Sequence, residues 1–509
     1  MRTKQAFKNV FFSLLLQVVV AISGIIIPRF FIELYGSSVN GLVSSINQFI
    51  TCMGLVEAGI GAAGAVALYK PLAEKNNLAV SQLVSAARKF YLRSGLIFAA
   101  LVILLILVYP YAVHNEITDL SFIRTMIFIL SFNGLVDYFY LGKYRVLLQA
   151  DQRSYIISIA QIVGTIVMTI LSILLMKMEC SALLVKSVVA IVYLLRSLAV
   201  GIYVRKKYPH IDLHAEPNMK ALSQRWAALT HQVAGMIVTN TDLVVLTLCV
   251  SENALVVVSI YSVYNLVSSA LSSLMTSISN GLGSGFGEVI AKDEKDVLKS
   301  SFSNYEFAFF LIIFIAYTCM ASLMYPFVKV YSSSFTDGVN YLSWALVILF
   351  SLLGVLQALR LPGLTIICAA GHYKQTQNRA ILEAVINVGV SLILVKPLGI
   401  YGVLIGTCAS YLYRTTDVIV YTAHHFLSGT LKRSIFRIFR SVVLSILLIL
   451  IAWKFVPADM TGWMTWFLWA ILDSVVVTLV MTLGNVAFEP KEFRSLLERL
   501  LGMVRRQTK

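Results

Sequence analysis

The chain has 509 residues, of which 58% are hydrophobic and only 13% charged. Soluble globular proteins carry about 45–50% apolar and about 25% charged residues. A water-wrapped domain, a disordered chain, a disulfide-rich secreted module and a collagen-like fibre are therefore excluded. A polytopic membrane protein remains, with room for about fourteen crossings of about 20 residues each plus their loops.

Continuous apolar runs follow one another at 10–31, 38–62, 91–113, 121–142, 154–176, 182–204, 227–250, 255–283, 304–327, 340–361, 380–396, 400–424, 435–455 and 463–485. Each can cross a bilayer as a helix that satisfies its own backbone hydrogen bonds, though 380–396 is short. None shows the alternation of a membrane β-barrel strand. The first run starts behind Arg2, Lys4 and Lys8, as a signal peptide would. It continues through Ile25-Ile26-Ile27-Pro28-Arg29 without a small-x-small cleavage site, and reads as a retained first helix.

An even number of spans puts both termini on one side, and basic residues choose which. Lys70, Lys75, Arg88, Lys89, Arg93, Lys143, Arg145, Arg153, Arg205, Lys206, Lys207, Lys220 and Arg225 fall on the side of the termini, as do Lys491, Arg494, Arg499, Arg505 and Arg506. The opposite loops hold only Lys177, Lys329, Lys396 and Lys454. Both termini are expected in the cytoplasm. The formal charge of +16 is then mostly topology signal and attraction to anionic lipid, not a nucleic-acid surface. In the tail, Phe493, Leu496, Leu497, Leu500, Leu501 and Val504 recur at helical spacing with basic residues between them. An amphipathic helix on the cytoplasmic leaflet, or one packed under the bundle, is expected there.

Segments about 216–220 residues apart are alike. Val108-Tyr109-Pro110-Tyr111 matches Met324-Tyr325-Pro326-Phe327, and the loop Leu148-Gln149-Ala150-Asp151-Gln152-Arg153-Ser154-Tyr155 matches Ile367-Cys368-Ala369-Ala370-Gly371-His372-Tyr373-Lys374. Gly59, Gly61 and Gly64 are echoed by Gly281, Gly283, Gly285 and Gly287. The expected fold is an all-α polytopic membrane protein of 14 transmembrane helices: two pseudo-symmetric six-helix lobes plus two C-terminal helices. The N-lobe is 1–204, a basic connector 205–226, the C-lobe 227–424, the last two spans 425–486 and the tail 487–509. Six spans per copy make the copies parallel, around an axis along the membrane normal, an arrangement suited to alternating access.

The stretches Pro28-Arg29-Phe30, Tyr35-Gly36-Ser37-Ser38-Val39-Asn40-Gly41-Leu42 and Glu57-Ala58-Gly59-Ile60-Gly61 resemble the start of bacterial polysaccharide flippases. Their superfamily comprises the multidrug/oligosaccharidyl-lipid/polysaccharide exporters, or MOP superfamily. Asn240-Thr241-Asp242-Leu243-Val244-Val245-Leu246 and Tyr261-Ser262-Val263-Tyr264-Asn265 carry the resemblance in the seventh and eighth spans. It implies a central cationic cavity that receives the phosphates of a lipid-linked sugar, with spans 1 and 7 at the front of the lobes.

Ionisable groups at membrane depth mark a pathway or a paired structural site. They are Arg29, Glu57, Arg124, Asp137, Lys186, Arg196, Asp242, Glu306, Arg360, Glu383, Arg414, Asp417 and Asp473. Arg414 and Asp417 are three apart on one helix face and can neutralise each other. Lys186, Glu306 and Arg360 lie near span ends, where they can snorkel. Arg29 is the candidate phosphate contact, because arginine is permanently charged and grips phosphate bidentately. A pair with Glu33 or an interface anchor is the alternative. Glu57 and Asp242 either bind a coupling cation, H+ or Na+, or fix an arginine. Asn47, Gln48, Asn240, Tyr261, Tyr264 and Asn265 either hydrogen-bond sugar hydroxyls or serve polar interhelical packing.

Gly59-Ile60-Gly61-Ala62-Ala63-Gly64 matches a dinucleotide fingerprint but lacks a preceding strand, so it reads as close helix packing. No P-loop sequence occurs. His210 and His214 stand four apart beside Pro209 without further ligands, so no metal is expected. The cysteines at 52, 180, 249, 319, 368 and 408 form no C-x-x-C pair and read as helix fillers.

Together these features point to a monomeric flippase, not an enzyme, in a bacterial plasma membrane. It would carry a polyprenyl-pyrophosphate oligosaccharide to the outer leaflet for cell-surface polysaccharide synthesis, alongside a polymerase and glycosyltransferases and without a cofactor. An ion-coupled multidrug exporter of the same fold is the alternative. A membrane glycosyltransferase or polymerase is a third reading, weakened by short basic loops without an acid/base pair.

Overall fold

The structure, a computed structural model, describes residues 2–498 apart from 58, 59, 114, 115, 214, 219–225, 251, 293, 428, 458, 459, 461, 496 and 497. His214, Gly59 and the tail residues Leu496, Leu497, Leu500, Leu501 and Val504 therefore lie outside the described residues. Among the described residues the secondary structure is helical and without a strand. In chain order come α1 (Arg2–Met53), α2 (Ile60–Ala73), α3 (Asn77–Val113), α4 (Leu120–Val136), α5 (Gly142–Ala150), α6 (Ser154–Lys177), α7 (Ala182–Lys207), α8 (Trp226–Asn240) and α9 (Asp242–Cys249). They are followed by α10 (Ala254–Ala291), α11 (Lys295–Ser332), α12 (Trp344–Leu359), α13 (Leu361–Ala369), α14 (Tyr373–Leu398), α15 (Ile400–His425), α16 (Leu431–Phe455) and α17 (Trp463–Phe488).

Eleven helical stretches among the described residues are long and apolar enough to cross a membrane, and the chain is a multi-pass membrane protein. The first of these, Lys8–Glu57, runs 50 residues and holds the run 10–31 and residues 38–57 of the run 38–62, with a break at Gly36 between them. The predicted run 227–250 is divided into α8 and α9, and 400–424 lies in α15. The chain folds as two compact units, Met1–Ser262 with Phe335–Val339, and Val263–Ser334 with Asn340–Lys509.

In the first unit, α1 carries Pro28, which can donate no backbone hydrogen bond. It is broken at Gly36, whose φ of 81° and ψ of 168° suit a residue without a Cβ. The chain restarts on Ser37, whose backbone N–H donates to Asp337 Oδ2 at 2.7 Å, and whose hydroxyl donates to the same oxygen. A carboxylate thus caps the second half of α1, where an anion complements the helix dipole. That half packs against α9 and α10 through small and polar residues. A Cβ on Gly41 would collide with the Leu255 backbone. Asn40 donates to Ser259 at 2.8 Å, and Ser45 meets Thr247 at 2.8 Å. Lipid gives helices little hydrophobic reason to associate, so close approach and hydrogen bonds carry the contact.

The sequence duplication has a structural counterpart within each unit. α4 gives way to a π-turn at Asp137–Leu141 before α5, and α12 is interrupted at Arg360 before α13. Both segments end in the same hydrogen-bonded turn. Arg153 N–H donates to Leu148 C=O at 2.8 Å and Gln152 N–H to Gln149 C=O at 3.2 Å. His372 N–H donates to Ile367 C=O at 3.1 Å and Gly371 N–H to Cys368 C=O at 3.1 Å. Gln152 and Gly371 occupy the left-handed position, at φ 57° and 70°, which completes a Schellman cap in each copy.

In the second unit α14 and α15 form a tight antiparallel pair through Gly399. Gly402 and Gly406 let the helices approach so closely that a Cβ would meet the Leu394 backbone and Ser391. Asn387 donates to Thr407 at 3.0 Å across the same contact. The last two helices are tied to α11 by Thr318–Ser445 at 2.8 Å and Ser322–Asp473 at 2.6 Å. The strongest tie is Arg437, whose side chain is only 1% exposed. It donates to Glu306 at 2.8 Å, to the Ser303 carbonyl at 3.1 Å and to Glu489 at 2.7 Å. Arg440 donates to the other Glu489 oxygen at 2.9 Å and to Asn485 at 2.6 Å. Glu306, expected to snorkel, is buried instead because this guanidinium reaches it.

Candidate functional site

A cluster of two carboxylates and one guanidinium forms inside the first unit. Glu57 ends the 3-10 turn Gly54–Glu57, Asp137 opens the π-turn, and Arg145 lies on α5. Arg145 Nη2 is 2.8 Å from Asp137 Oδ2, and its Nη1 is 3.9 Å from Glu57 Oε1. Tyr91 on α3 donates to Glu57 Oε1 at 2.5 Å. Gly142 makes this possible, since a Cβ there would overlap the Tyr91 ring. The π-turn, a rare insertion often found at functional positions, places Asp137 between Arg145 and Tyr193 on α7, whose hydroxyl donates to it and whose ring carries the Arg196 guanidinium at 4.1 Å. Two carboxylates thus share the Arg145 guanidinium, with Arg196 one ring away. Such a cluster can take up a proton or a small cation, or hold the broken second and fourth spans in register.

The other predicted residues are distributed along α1, α8, α9 and α10. Arg29 is half-buried on α1, one residue after Pro28. Asn47 is exposed, and its backbone carbonyl accepts from Thr51 at 2.7 Å. Gln48 donates to Asn240 Oδ1 at 2.8 Å, while the Asn240 amide donates to the Met236 carbonyl at 3.0 Å. Asp242 opens α9 after the break at Thr241 and is only 5% exposed. It accepts from the Tyr261 hydroxyl at 2.9 Å, and its charge sits at the favourable end of the α9 dipole. Asn265 is half-buried on α10. Tyr264, for which a sugar contact or polar interhelical packing is expected, is fully buried. Its hydroxyl donates to the Tyr341 carbonyl at 2.8 Å and accepts from Ser343 N–H at 3.1 Å, and its ring stacks on Phe350. It anchors the turn that leads into α12.

The second unit gathers three arginines around two carboxylates. Arg360 pairs with Glu383, and Arg414 Nε lies 3.5 Å from the same carboxylate. Arg414 Nη1 is 2.8 Å from Asp417 Oδ2, the expected pair, and Arg379 also reaches Asp417. The Arg360 guanidinium lies 4.4 Å from the Tyr411 ring centroid. Arg360, expected to snorkel, is held here because Glu383 and the ring replace water around it. Lys186 sits 4.3 Å from the Phe31 ring centroid.

Three of these partners carried no site signal in the sequence. Arg145 stands among the basic residues on the side of the termini, and no motif or spacing marks Arg379 or Arg437. A usable signal existed for one: Arg145 follows Asp137 by eight residues, about two helical turns, so both share a face. Arg437 and Glu489 lie far apart in sequence, and no spacing rule connects them.

No protein-family model matches the chain, and no curated protein matches it in sequence. Solved structures do match. The lipid II flippase MurJ, in an inward closed conformation, is similar over 96% of this chain and 99% of its own, at 16% identity and a TM-score of 0.66. An inward-facing multidrug resistance MATE family transporter of the MOP superfamily covers 82% of this chain and 96% of its own, at 12% identity and a TM-score of 0.58. A MATE transporter of Vibrio cholerae covers 84% and 98%, at 14% identity and a TM-score of 0.57. The chain therefore shares the fold of these structures.

Proposed function

We propose that the chain is a flippase that moves a polyprenyl-pyrophosphate-linked oligosaccharide from the inner to the outer leaflet of a bacterial plasma membrane. The observation that carries this reading is the extent of the match: the flippase fold accounts for 96% of the chain, against 82% and 84% for the two MATE transporters. The cationic groups Arg29, Arg124, Lys186 and Arg196 on the membrane-spanning helices of the first unit support an anionic substrate. A phosphorylated glycan cannot cross hydrocarbon unaided, and such groups replace its hydration.

In this proposal Arg29 meets the phosphates, and Asn47, Gln48, Asn240 and Asn265 face the sugar. Lobes 1–204 and 227–424 rock about the substrate, with both termini cytoplasmic. A polymerase and glycosyltransferases supply and consume the cargo, and H+ or Na+ contributes through Glu57 or Asp242. An inside-negative potential favours outward movement of an anion by about 2.3 kcal/mol per charge per 100 mV.

The Glu57–Asp137–Arg145 cluster favours a second reading, an ion-coupled exporter of cationic drugs, since it sets two carboxylates beside one shared guanidinium. Two cell assays separate the readings. A glycan-export mutant lacking its own flippase should regain surface polysaccharide when given this chain, without gaining resistance to cationic dyes. Dye resistance without polysaccharide export would replace the flippase reading with the exporter one.

A further inference from the structure

An open cavity of about 590 Å3 in the first unit lies away from every charge cluster described above. Gln5 at the start of α1, Tyr69 and Lys70 near the end of α2, and Asp151 and Gln152 in the cap after α5 supply its polar lining. The volume falls within the range of about 300–1,000 Å3 typical of small-molecule sites.

The lining is organised. Tyr69 leaves 50% of its surface open, so an aromatic ring is presented to the cavity's contents. The Asp151 carboxylate is held by Arg153 Nε at 2.8 Å and by the Tyr208 hydroxyl. Burial, and then the bond to Asp151, push the Tyr208 phenol up, so it stays a protonated donor at neutral pH. Gln152 is fixed in a left-handed backbone conformation, and its carbonyl accepts from Asn9 at 2.9 Å. Among the described lining residues Lys70, with Glu74 3.8 Å away, is the one cation, and Asp151, paired with Arg153, is the one anion. The described lining is thus balanced in charge.

That combination selects a ligand class. A phosphate calls for surplus positive charge, and an apolar drug calls for walls with few polar groups. Amides and a fixed carboxylate offer acceptors and donors to hydroxyls, and an open aromatic ring offers a face to a sugar ring. We propose that this cavity is a carbohydrate subsite that docks sugar residues of the headgroup at the cytoplasmic mouth of the first unit, apart from the phosphate contact at Arg29. The assignment of its ligand rests on the flippase reading above.

The test is saturation-transfer NMR on the purified full chain in detergent, with free linear tetrasaccharides of glucose and of N-acetylglucosamine as probes. Tyr69→Ala removes the platform, and Gln152→Gly removes an amide while suiting the left-handed backbone. At least one tetrasaccharide should bind the wild-type chain, and each variant should weaken it tenfold or more at unchanged thermal stability. Absence of binding, or binding that neither variant weakens, overturns the subsite. The flippase reading fails separately: Tyr69-dependent sugar binding without glycolipid movement in proteoliposomes keeps the subsite and removes the flippase assignment.

Discussion

Arg145 reaches back across a π-turn to place its guanidinium 2.8 Å from the Asp137 carboxylate on the same continuous span. Glu57 stands on the other side of that guanidinium, at 3.9 Å. One arginine thus serves two carboxylates from two broken spans.

Replacing Asp137 with Asn keeps the side-chain shape and removes one of the two carboxylate charges on Arg145. Asp137→Asn should insert and fold like the wild type, but transport should lose its response to an imposed proton or sodium gradient. Initial rates in proteoliposomes with and without the gradient check this. An unchanged response would confine the cluster to a structural role.

Arg437 holds α11, α16 and the chain end after α17 together, through Glu306, Ser303 and Glu489. Removing one partner of a buried ion pair typically costs about 3–5 kcal/mol, because the remaining charges are left without compensation. Arg437→Leu should therefore lower thermal stability in detergent sharply. Arg437→Lys should not restore it, since an ammonium lacks the planar fork that serves three acceptors at once. A thermal unfolding midpoint of the lysine variant equal to that of the wild type would contradict this.

The same network sets a pH dependence at Glu489. Burial alone would raise this carboxyl, but its hydrogen bonds to Arg437 and Arg440 and their charges outweigh burial and hold it below its ordinary value. A carboxyl depressed in the folded state adds stability above its unfolded pKa of about 4.3, and that stability is lost as pH falls through the folded value. Unfolding midpoints should drop below about pH 4.3, and Glu489→Gln should flatten that part of the profile while lowering stability at neutral pH. An identical acid limb in the variant would remove Glu489 as the cause.

Gly41 is a geometric requirement, since its missing side chain admits the Leu255 backbone. Gly41→Ala should destabilise the first unit by about 1–3 kcal/mol, the usual penalty for overpacking. Gly24, with open space around its Cβ position, provides the control: Gly24→Ala should leave the unfolding midpoint unlowered.

The membrane class and the helical architecture were legible because lipid allows so few solutions. Twenty apolar residues in a row can only be a spanning helix. The repeat was legible too, and the paired caps at 148–153 and 367–372 give it a physical form. Breaks within spans were less so: the π-turn at Asp137–Leu141 falls inside the continuous apolar run 121–142. The site residues were the least legible. Tyr264 lay in a run that resembles the family, and only packing shows that its hydroxyl is engaged by the 341–343 turn. Arg437 looked like another basic residue at a span end, because its partners lie far along the chain.

The central claim is that this chain moves an anionic glycolipid through a path that includes Arg29. The direct measurement is translocation of a fluorescent polyprenyl-pyrophosphate oligosaccharide in proteoliposomes, with an imposed membrane potential, for the wild type and Arg29→Ala. The wild type should move the lipid, faster when the potential drives the anion toward the receiving face. Arg29→Ala should lose at least tenfold in rate while reconstituting normally. Movement indifferent to the potential and unchanged in Arg29→Ala would contradict the account, as would a wild-type chain that moves no glycolipid at all.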